Sequence, residues 1–172
     1  FTFQGDVSYY CSGTVNLSSP TTIEGGTVVK FTNTSSAKII ITGAIDCQTG
    51  PYRPAVFTSK DDNTVGQAIG GSTGFPTNYY GNGLQINTTD KTLHDLRFSY
   101  AGRAVSLLFD YGQINLAHMQ FVHCQYAIDS DDANTIVVDN ALFYSVTNVL
   151  KGSTRLLLEG QHLTVDQCDK FF

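Results

Sequence analysis

The sequence predicts an all-β fold, a single-stranded parallel β-helix (solenoid) in which short strands wind into coils of about 22 residues. Two observations lead to this prediction. Apolar residues of the second half of the chain recur at a nearly constant interval, and within each copy they alternate with polar residues. A repeat of this length is typical of solenoids, and a local period of two is typical of strands with one buried face.

The repeat consists of four apolar columns, and the most distinctive of them is aromatic. Phe98, Phe121 and Phe143 follow one another at the interval of the repeat. The other columns are Leu96, Met119, Ala141 and Leu163; Ala101, Cys124, Val146 and Cys168; and Ala104, Ala127, Val149 and Phe171. Because parallel coils stack strand on strand, we expect the three phenylalanine rings to pile up inside one tube.

The length of 172 residues fits a single β-helix domain over 1–172. Residues 1–20 carry several aromatic side chains and are predicted to form an N-terminal cap with the first strands. Residues 60–83 are rich in Gly, Asn and Asp and predict a long loop insertion. Regular coils are predicted over 84–172. The C-terminus has no cap signal, which favours self-association or continuation of the coil there.

Composition narrows the classes of partner. Only 15% of the residues are charged, the net charge is −5, and no cluster of basic residues is present. Nucleic acid is therefore not an expected partner. No apolar run is long enough to cross a bilayer as a helix, so the sequence predicts no membrane span. Abundant Thr, Ser, Asn and Gly are common in secreted β-proteins.

The four cysteines show no metal-binding or redox spacing. Cys124 and Cys168 lie two coils apart in one column, so their separation of about 10 Å is too large for a disulfide. We interpret both as small core residues. A bridge between Cys11 and Cys47 stays open.

The first half of the chain contains motifs that point to a known group of proteins. The segments "TIEGGTVVKF", "IIITGAIDC" and "PAVFTSKDD" follow one another over roughly residues 8–60. They resemble the opening coils of right-handed parallel β-helices, with a pectate-lyase-like fold, from large secreted or surface-attached bacterial proteins. The resemblance continues over 84–171 by periodicity. It implies a right-handed coil and an extracellular or cell-surface location, while lyases, hydrolases, adhesins and spacers share this scaffold.

Two outward-facing columns are candidate ligand sites. They consist of Asp95, His118, Asn140 and His162, and of Arg97, Gln120, Leu142 and Thr164. Such a polar stripe could bind an anionic sugar, or it could be a solvated face of the coil. In polysaccharide lyases that share the scaffold, an Arg or Lys removes a proton beside Ca²⁺. The resemblance would make Arg97 the base and Asp95 a calcium ligand.

Acidic clusters at two turns are candidate Ca²⁺ sites, because hard cations prefer several oxygen ligands. One cluster contains Asp129, Asp131 and Asp132, and the other contains Asp61 and Asp62. Solvated turns are the alternative at both places. Asp131 and Asp132 are also a superficial glycosidase pair, but the accompanying motifs of those enzymes are missing.

Nine tyrosines are present, and several are expected to be exposed: Tyr79, Tyr80, Tyr100, Tyr111 and Tyr126. Tyr79 and Tyr80 at the end of the predicted loop are the preferred candidates for stacking on sugar rings. The alternative is that they fasten the loop to the coil.

Together these patterns predict a non-catalytic secreted or cell-surface module, acting in structure or adhesion or contacting a polysaccharide or cell-surface glycan. The alternative is a polysaccharide lyase or glycoside hydrolase that acts on an acidic polysaccharide. Ice binding is disfavoured because the outward columns mix His, Gln, Asn and Leu where regular Thr ladders would be needed. No cofactor beyond Ca²⁺ is implied.

Overall fold

A computed structural model describes residues 1–109, 111–130, 134–153 and 155–172. It is a parallel β-solenoid of about seven turns with about 22 residues per turn. Within the described residues there is no helix, and hence none with the length and apolarity to cross a bilayer. The predicted all-β parallel coil is confirmed.

The strands within the described residues are short in the first turns and longer in the last ones. In chain order they are β1 (Thr2–Phe3), β2 (Ser8–Cys11), β3 (Thr14–Leu17), β4 (Thr21–Glu24), β5 (Val28–Phe31), β6 (Lys38–Ile41), β7 (Ile45–Gln48), β8 (Ala55–Ser59), β9 (Tyr80–Ile86), β10 (Lys91–His94), β11 (Leu96–Ser99), β12 (Ala101–Leu107), β13 (Gln113–Val122), β14 (Tyr126–Ser130), β15 (Thr135–Tyr144), β16 (Asn148–Gly152) and β17 (Leu157–Asp166).

The strands form three faces of the coil, and the strand pairs of each face are parallel. The first face contains β1, β4, β7, β10 and the first halves of β13, β15 and β17. The second face contains β2, β5, β8, β11 and the second halves of the same three long strands. The third face has the order β16-β14-β12-β9-β6-β3. Each turn of the coil up to β16 thus contributes one strand or half-strand to each face, and β17 contributes to the first two faces.

The predicted aromatic column is confirmed as a continuous stack in the core. Phe98 is paired with Phe121 and Phe121 with Phe143, and the ring centroids are 5.7 and 5.1 Å apart. Phe57 of the preceding turn extends the stack, with its centroid 4.9 Å from that of Phe98. These rings are fully buried or nearly so. Each stacked pair adds about 0.5–1.5 kcal/mol beyond the burial of apolar area.

Two corners of each late turn are made by residues with positive φ. The first corner, between the first and second faces, consists of Asp95, His118, Asn140 and His162, with φ from 51° to 53°. The second corner, between the second and third faces, consists of Tyr100, His123, Ser145 and Gln167, with φ from 53° to 62°. Asn, Asp and His tolerate this left-handed conformation better than most residues. The predicted register of the first column is correct, and its members form a bend of the coil.

The N-terminal segment forms the first turn of the coil itself. Strands β1, β2 and β3 pair in parallel with β4, β5 and β6 of the next turn. The ring of Phe3 contacts those of Phe1 and Tyr9 edge to face, with centroids 4.8 and 5.2 Å away. The predicted aromatic cluster of the N-terminal segment thus packs together within the first turn of the coil.

The long loop leaves the coil at the second corner of the third turn. It spans 60–79, between β8 and β9, and the residues 80–83 of the predicted loop belong to β9.

All four cysteine thiols are free, and Cys11, Cys47 and Cys124 are buried. Cys11 and Cys47 are therefore not bridged in this structure.

Candidate functional site

A buried polar network fixes the base of the loop to the coil. Lys30 is fully buried, and its Nζ donates a hydrogen bond to the carbonyl oxygen of Asp62 at 2.7 Å. Burial lowers the pKa of Lys30, and the nearby Asp62 charge opposes this shift. The Asp62 carboxylate accepts hydrogen bonds from Thr58 Oγ1 at 2.7 Å, from the Thr64 amide at 2.9 Å and from Thr64 Oγ1 at 2.6 Å. The first residues of the loop are therefore held in one position.

Asp61 makes a second set of contacts at the same place. Its carboxylate accepts hydrogen bonds from the Thr73 amide at 2.9 Å, from Lys60 Nζ at 3.0 Å and from Asn33 Nδ2 at 3.1 Å. The hydrogen bond from Thr73, together with Lys60, holds the pKa of Asp61 below its ordinary value. Asp61 and Asp62, both predicted as calcium ligands, thus have their oxygens engaged by donors of the protein.

The other predicted calcium cluster lies on the third face. The Asp129 carboxylate is almost fully buried and forms ion pairs with Arg103 Nε and with Lys151 Nζ, the latter at 3.0 Å. Asp131 and Asp132 lie outside the described residues. Over the described part of the chain, no group of three or more His, Cys, Asp or Glu side chains could hold a metal ion. Calcium binding stays a prediction from the sequence.

A cleft lies between the loop and the coil. It begins at the second corner of the coil. Its first depression has a volume of about 310 Å³. It is lined by Pro76, Thr77, Asn78, Tyr79, Tyr100 and His123. Tyr79 is 43% exposed. The ring of Tyr100 stacks on that of His123, with centroids 5.5 Å apart and 22° between the planes. Aromatic surface from the loop and from two coils therefore meets in this depression.

The second depression is the largest of the cleft, with a volume of about 590 Å³. Its lining residues come from four neighbouring turns and from the loop: 33–35, 78–82, Gly102, Arg103, Gln125 and Tyr126. The guanidinium carbon of Arg103 lies 5.9 Å from the centroid of the Tyr126 ring, a cation–π arrangement.

The floor of this depression consists of backbone. A Cβ atom at Gly102 would lie 2.7 Å from the carbonyl oxygen of Gly81, closer than real Cβ contacts come. The same test at Gly81 places a Cβ 2.6 Å from the carbonyl oxygen of Thr34. Glycine is therefore required at both positions, because backbone of the preceding turn occupies the place that a side chain would take.

The third depression lies further along the third face and has a volume of about 100 Å³. It is lined by Gln85, Arg103, Ser106, Leu107, Leu108 and Asp129. Ser106 is 3% exposed, and its hydroxyl has no hydrogen-bond partner among the described residues. Buried hydroxyl groups nearly always have a partner, so a water molecule or a ligand group that reached this oxygen would satisfy it.

Of Tyr79 and Tyr80, which were both predicted to stack on sugar rings, only Tyr79 presents its ring to the cleft. The ring of Tyr80 is fully buried and stacks on Phe31, with centroids 4.6 Å apart and 9° between the planes. Burial raises the pKa of Tyr80 well above its ordinary value. The prediction of Tyr80 as an exposed sugar-stacking residue is therefore wrong. Tyr80 begins β9, where successive side chains point to opposite faces, and it takes the inward position.

The predicted polar column at the first corner forms a separate groove of about 180 Å³. Its lining residues are Pro51, Pro54, Asp95, His118, Met119, Gln120, Asn140 and Leu142. Asn140 Nδ2 lies 2.7 Å from His118 Nδ1, within hydrogen-bond distance. His162 lies one turn further on, and its Nδ1 is 3.1 Å from Asp139 Oδ1. The structure thus brings Asp95, His118 and Asn140 together.

Of the alternative catalytic pair, Asp95 and Arg97, only Asp95 lines the groove at the first corner. Asp95 is almost fully buried and lines the groove at the first corner, with its Oδ2 2.8 Å from His94 Nδ1. Arg97 lies outside the lining of that groove. It belongs to the second face, between Val56 and Gln120 of the adjacent turns.

Comparison of the chain with protein-family models, with curated proteins and with solved structures returns no match.

The sequence predicts Tyr79, Tyr100 and Tyr126 to be exposed; Tyr79 is exposed, whereas Tyr100 and Tyr126 are half-buried at the cleft. Arg103, His123 and Ser106 were not among the predicted site residues. A signal was available for two of these residues. His123 follows Tyr100 by one period of the repeat, and Tyr126 follows Arg103 by the same interval, so the coil places each pair side by side.

Proposed function

We propose that this chain is a module of secreted or cell-surface bacterial proteins that binds a glycan, without catalysis, in the cleft between its loop and the third face of the coil. The observation that carries the proposal is the lining of the cleft. The exposed ring of Tyr79, three half-buried rings, side-chain amides and a guanidinium group surround two glycines, Gly81 and Gly102.

The aromatic groups suit the apolar faces of sugar rings. Tyr79 presents nearly half of its surface to solvent, and Tyr100, His123 and Tyr126 lie at the sides of the same cleft. Aromatic rings pack against the C–H faces of pyranoses, and the tyrosine hydroxyls can exchange hydrogen bonds with ring hydroxyls. Rings with few rotatable bonds also lose little conformational entropy on binding.

The polar groups of the cleft suit sugar hydroxyls, which both donate and accept hydrogen bonds. Asn78, Asn82 and Gln125 each offer an amide with two donors and a carbonyl acceptor, and Arg103 offers a planar set of donors. Arg103 is held in place by Asp129 and by the ring of Tyr126. Such fixed polar groups provide orientation and specificity in small-molecule sites.

Binding is favoured over catalysis by the position of the carboxylates. Glycoside hydrolysis generally requires two carboxyl groups that flank one bond. The described lining of the cleft contains one carboxylate, Asp129, which is engaged by two cations. The candidate lyase base Arg97 does not line the groove that contains the candidate ligand Asp95. The secreted or cell-surface context is supported by the composition and by the resemblance of the opening coils to bacterial surface proteins.

A glycan array tests the proposal, with the purified chain compared with Tyr79→Ala. We expect the wild-type protein to bind a defined group of glycans and Tyr79→Ala to lose at least about tenfold in affinity, since the loss of a stacked aromatic ring amounts to one to a few kcal/mol. Tyr52→Ala is the matched control, because Tyr52 is 99% exposed and does not line the cleft.

Two outcomes would contradict the proposal. One is binding that is unaffected by Tyr79→Ala, or no binding to any glycan on the array. The other is turnover of an acidic polysaccharide in the presence of Ca²⁺, followed by the absorbance of the unsaturated product, that is abolished by Arg97→Ala.

A further inference from the structure

We infer that the cleft takes an extended oligosaccharide chain that lies along the strands of the third face, from the second corner to Ser106, and not a single terminal sugar. This inference rests on the proposed function and specifies the class of glycan. Three independent features of the cleft support it: its continuity, its length and the different chemistry of its two ends.

The three depressions adjoin one another, because neighbouring depressions share lining residues. The first and second depressions have Asn78 and Tyr79 in common, and the second and third have Arg103 in common. The loop therefore borders the beginning of one long cleft, and the side chain of Arg103 lies between its middle and its far end.

The cleft follows one strand across the coil. Its lining includes Tyr100, Gly102, Arg103, Ser106 and Leu108, which belong to β12 or directly adjoin it. The seven residues of β12 span about 20 Å in an extended strand, several times the length of one pyranose ring. A single sugar would therefore leave most of the lining uncovered.

The second depression is also bordered by residues of turns on both sides of β9 and β12. Residues 33–35 of an earlier turn line one side of the second depression, and Gln125 and Tyr126 of a later turn line the other side. Between them lies the backbone floor at Gly81 and Gly102. A chain that runs along the strands fits between these sides.

The far end of the cleft offers polar groups. Ser106 is paired in register with Gln85 of the preceding turn and with Asp129 of the following turn, and the three residues line the third depression. The Ser106 hydroxyl is one of three buried polar groups without a hydrogen-bond partner among the described residues; the others are the Tyr80 hydroxyl and the Asn134 side-chain carbonyl. A sugar hydroxyl that reaches this depression would supply the missing hydrogen bond, which is favourable because an unsatisfied buried group is costly.

The test is the dependence of affinity on the length of the oligosaccharide. The probes are cello-, xylo-, chito- and galacturono-oligosaccharides from monomer to octamer, titrated calorimetrically into the full chain. We expect the affinity for the series that binds to rise at least about tenfold from dimer to hexamer and then to level off, as each added unit covers more of the cleft.

Variants at the two ends assign the contacts. Tyr79→Ala should weaken the binding of short and long oligosaccharides alike. Ser106→Ala and Gln85→Ala should weaken the binding of the hexamer several-fold and leave that of the dimer unchanged. Gln48→Ala is the matched control, because Gln48 is exposed on the first face. Unchanged far-ultraviolet circular dichroism and thermal midpoints would establish that the variants are folded.

The possible results distinguish the extended-chain inference from the proposed glycan binding. If monomers bind as tightly as octamers and binding still depends on Tyr79, the extended-chain inference is wrong and glycan binding stands. The inference is also wrong if Ser106→Ala and Gln85→Ala leave the affinity for the hexamer unchanged. If no oligosaccharide of any series binds and the glycan array is negative too, the proposed function itself fails.

Discussion

The ring of Phe121 lies parallel to that of Phe143 one turn further along the coil, with centroids 5.1 Å apart and 7° between the planes. Phe98 contacts the other side of Phe121. Phe121→Ala would remove a fully buried ring from the middle of this stack, so we expect the free energy of unfolding to fall by about 3–5 kcal/mol. Equilibrium unfolding in urea measures the loss.

Two controls accompany this prediction. Phe121→Leu keeps most of the buried volume and should cost clearly less than Phe121→Ala. Phe75→Ala removes a ring that is 77% exposed in the loop and should change stability by less than about 0.5 kcal/mol. Equal losses for Phe121→Ala and Phe75→Ala would contradict the role of the stack.

A second prediction concerns the first corner, where His118 has a φ of 52°. A β-branched side chain is disfavoured in this left-handed conformation, whereas Asn tolerates it. We expect His118→Val to be less stable than His118→Asn by about 1–2 kcal/mol in thermal or chemical unfolding. Gln120→Val places the same side chain at an ordinary outward position of β13 and should be nearly neutral. The prediction fails if the two valine variants are equally stable.

The base of the loop provides a third prediction. Asp62→Ala removes the acceptor of three hydrogen bonds from Thr58 and Thr64. We expect a loss of at least about 2 kcal/mol in the free energy of unfolding and faster cleavage within 60–79 by a non-specific protease, because hydrogen bonds to charged groups are comparatively strong. The exposed Asp169, changed to Ala, serves as the control. Cleavage of Asp62→Ala at the wild-type rate would show that this network does not hold the loop.

A fourth prediction concerns alkaline pH. Burial raises the pKa of the Cys124 thiol to about 12, from an ordinary value of 9.0. Between these values the unfolded chain loses the proton and the folded chain keeps it, so this thiol makes stability fall as the pH rises above about 9. Its contribution to the slope is about 1.4 kcal/mol per pH unit.

Cys124→Val tests this contribution, because Val146 occupies the same column one turn further on. We expect the variant to resemble the wild type at neutral pH and to lose stability less steeply above pH ~9. Buried Cys47 contributes in the same direction in both proteins, and Lys30, whose pKa burial lowers, contributes in the opposite direction in both. Identical slopes for the two proteins would contradict the prediction.

The register of the coil could be predicted from the sequence because two periods act together. The alternation within a strand decides which side chains point inward, and the longer spacing of the repeat decides which residues of adjacent turns are neighbours. The pairing of Arg97 with Gln120, of Gln120 with Leu142 and of Leu142 with Thr164 follows the predicted column.

The cleft could not be predicted in the same way, because the loop interrupts the spacing just before it. Without a register across 60–79, the sequence does not say which of Tyr79 and Tyr80 points inward. In the structure Tyr80 points inward, and its ring stacks on that of Phe31 in the core. The first corner was easier to recognise in the sequence. Its column contains Asp, His and Asn, which tolerate the left-handed backbone conformation that the structure shows there.

Stacking in one dimension has a mechanical consequence. Among the described strands, the sheet hydrogen bonds join each coil only to its predecessor and its successor, so pulling on the two ends loads the coils in series. Under such force the chain should peel away one coil at a time, and each event should release roughly 75 Å of extended polypeptide. A tether built in this way lengthens stepwise under load and keeps its remaining coils wound.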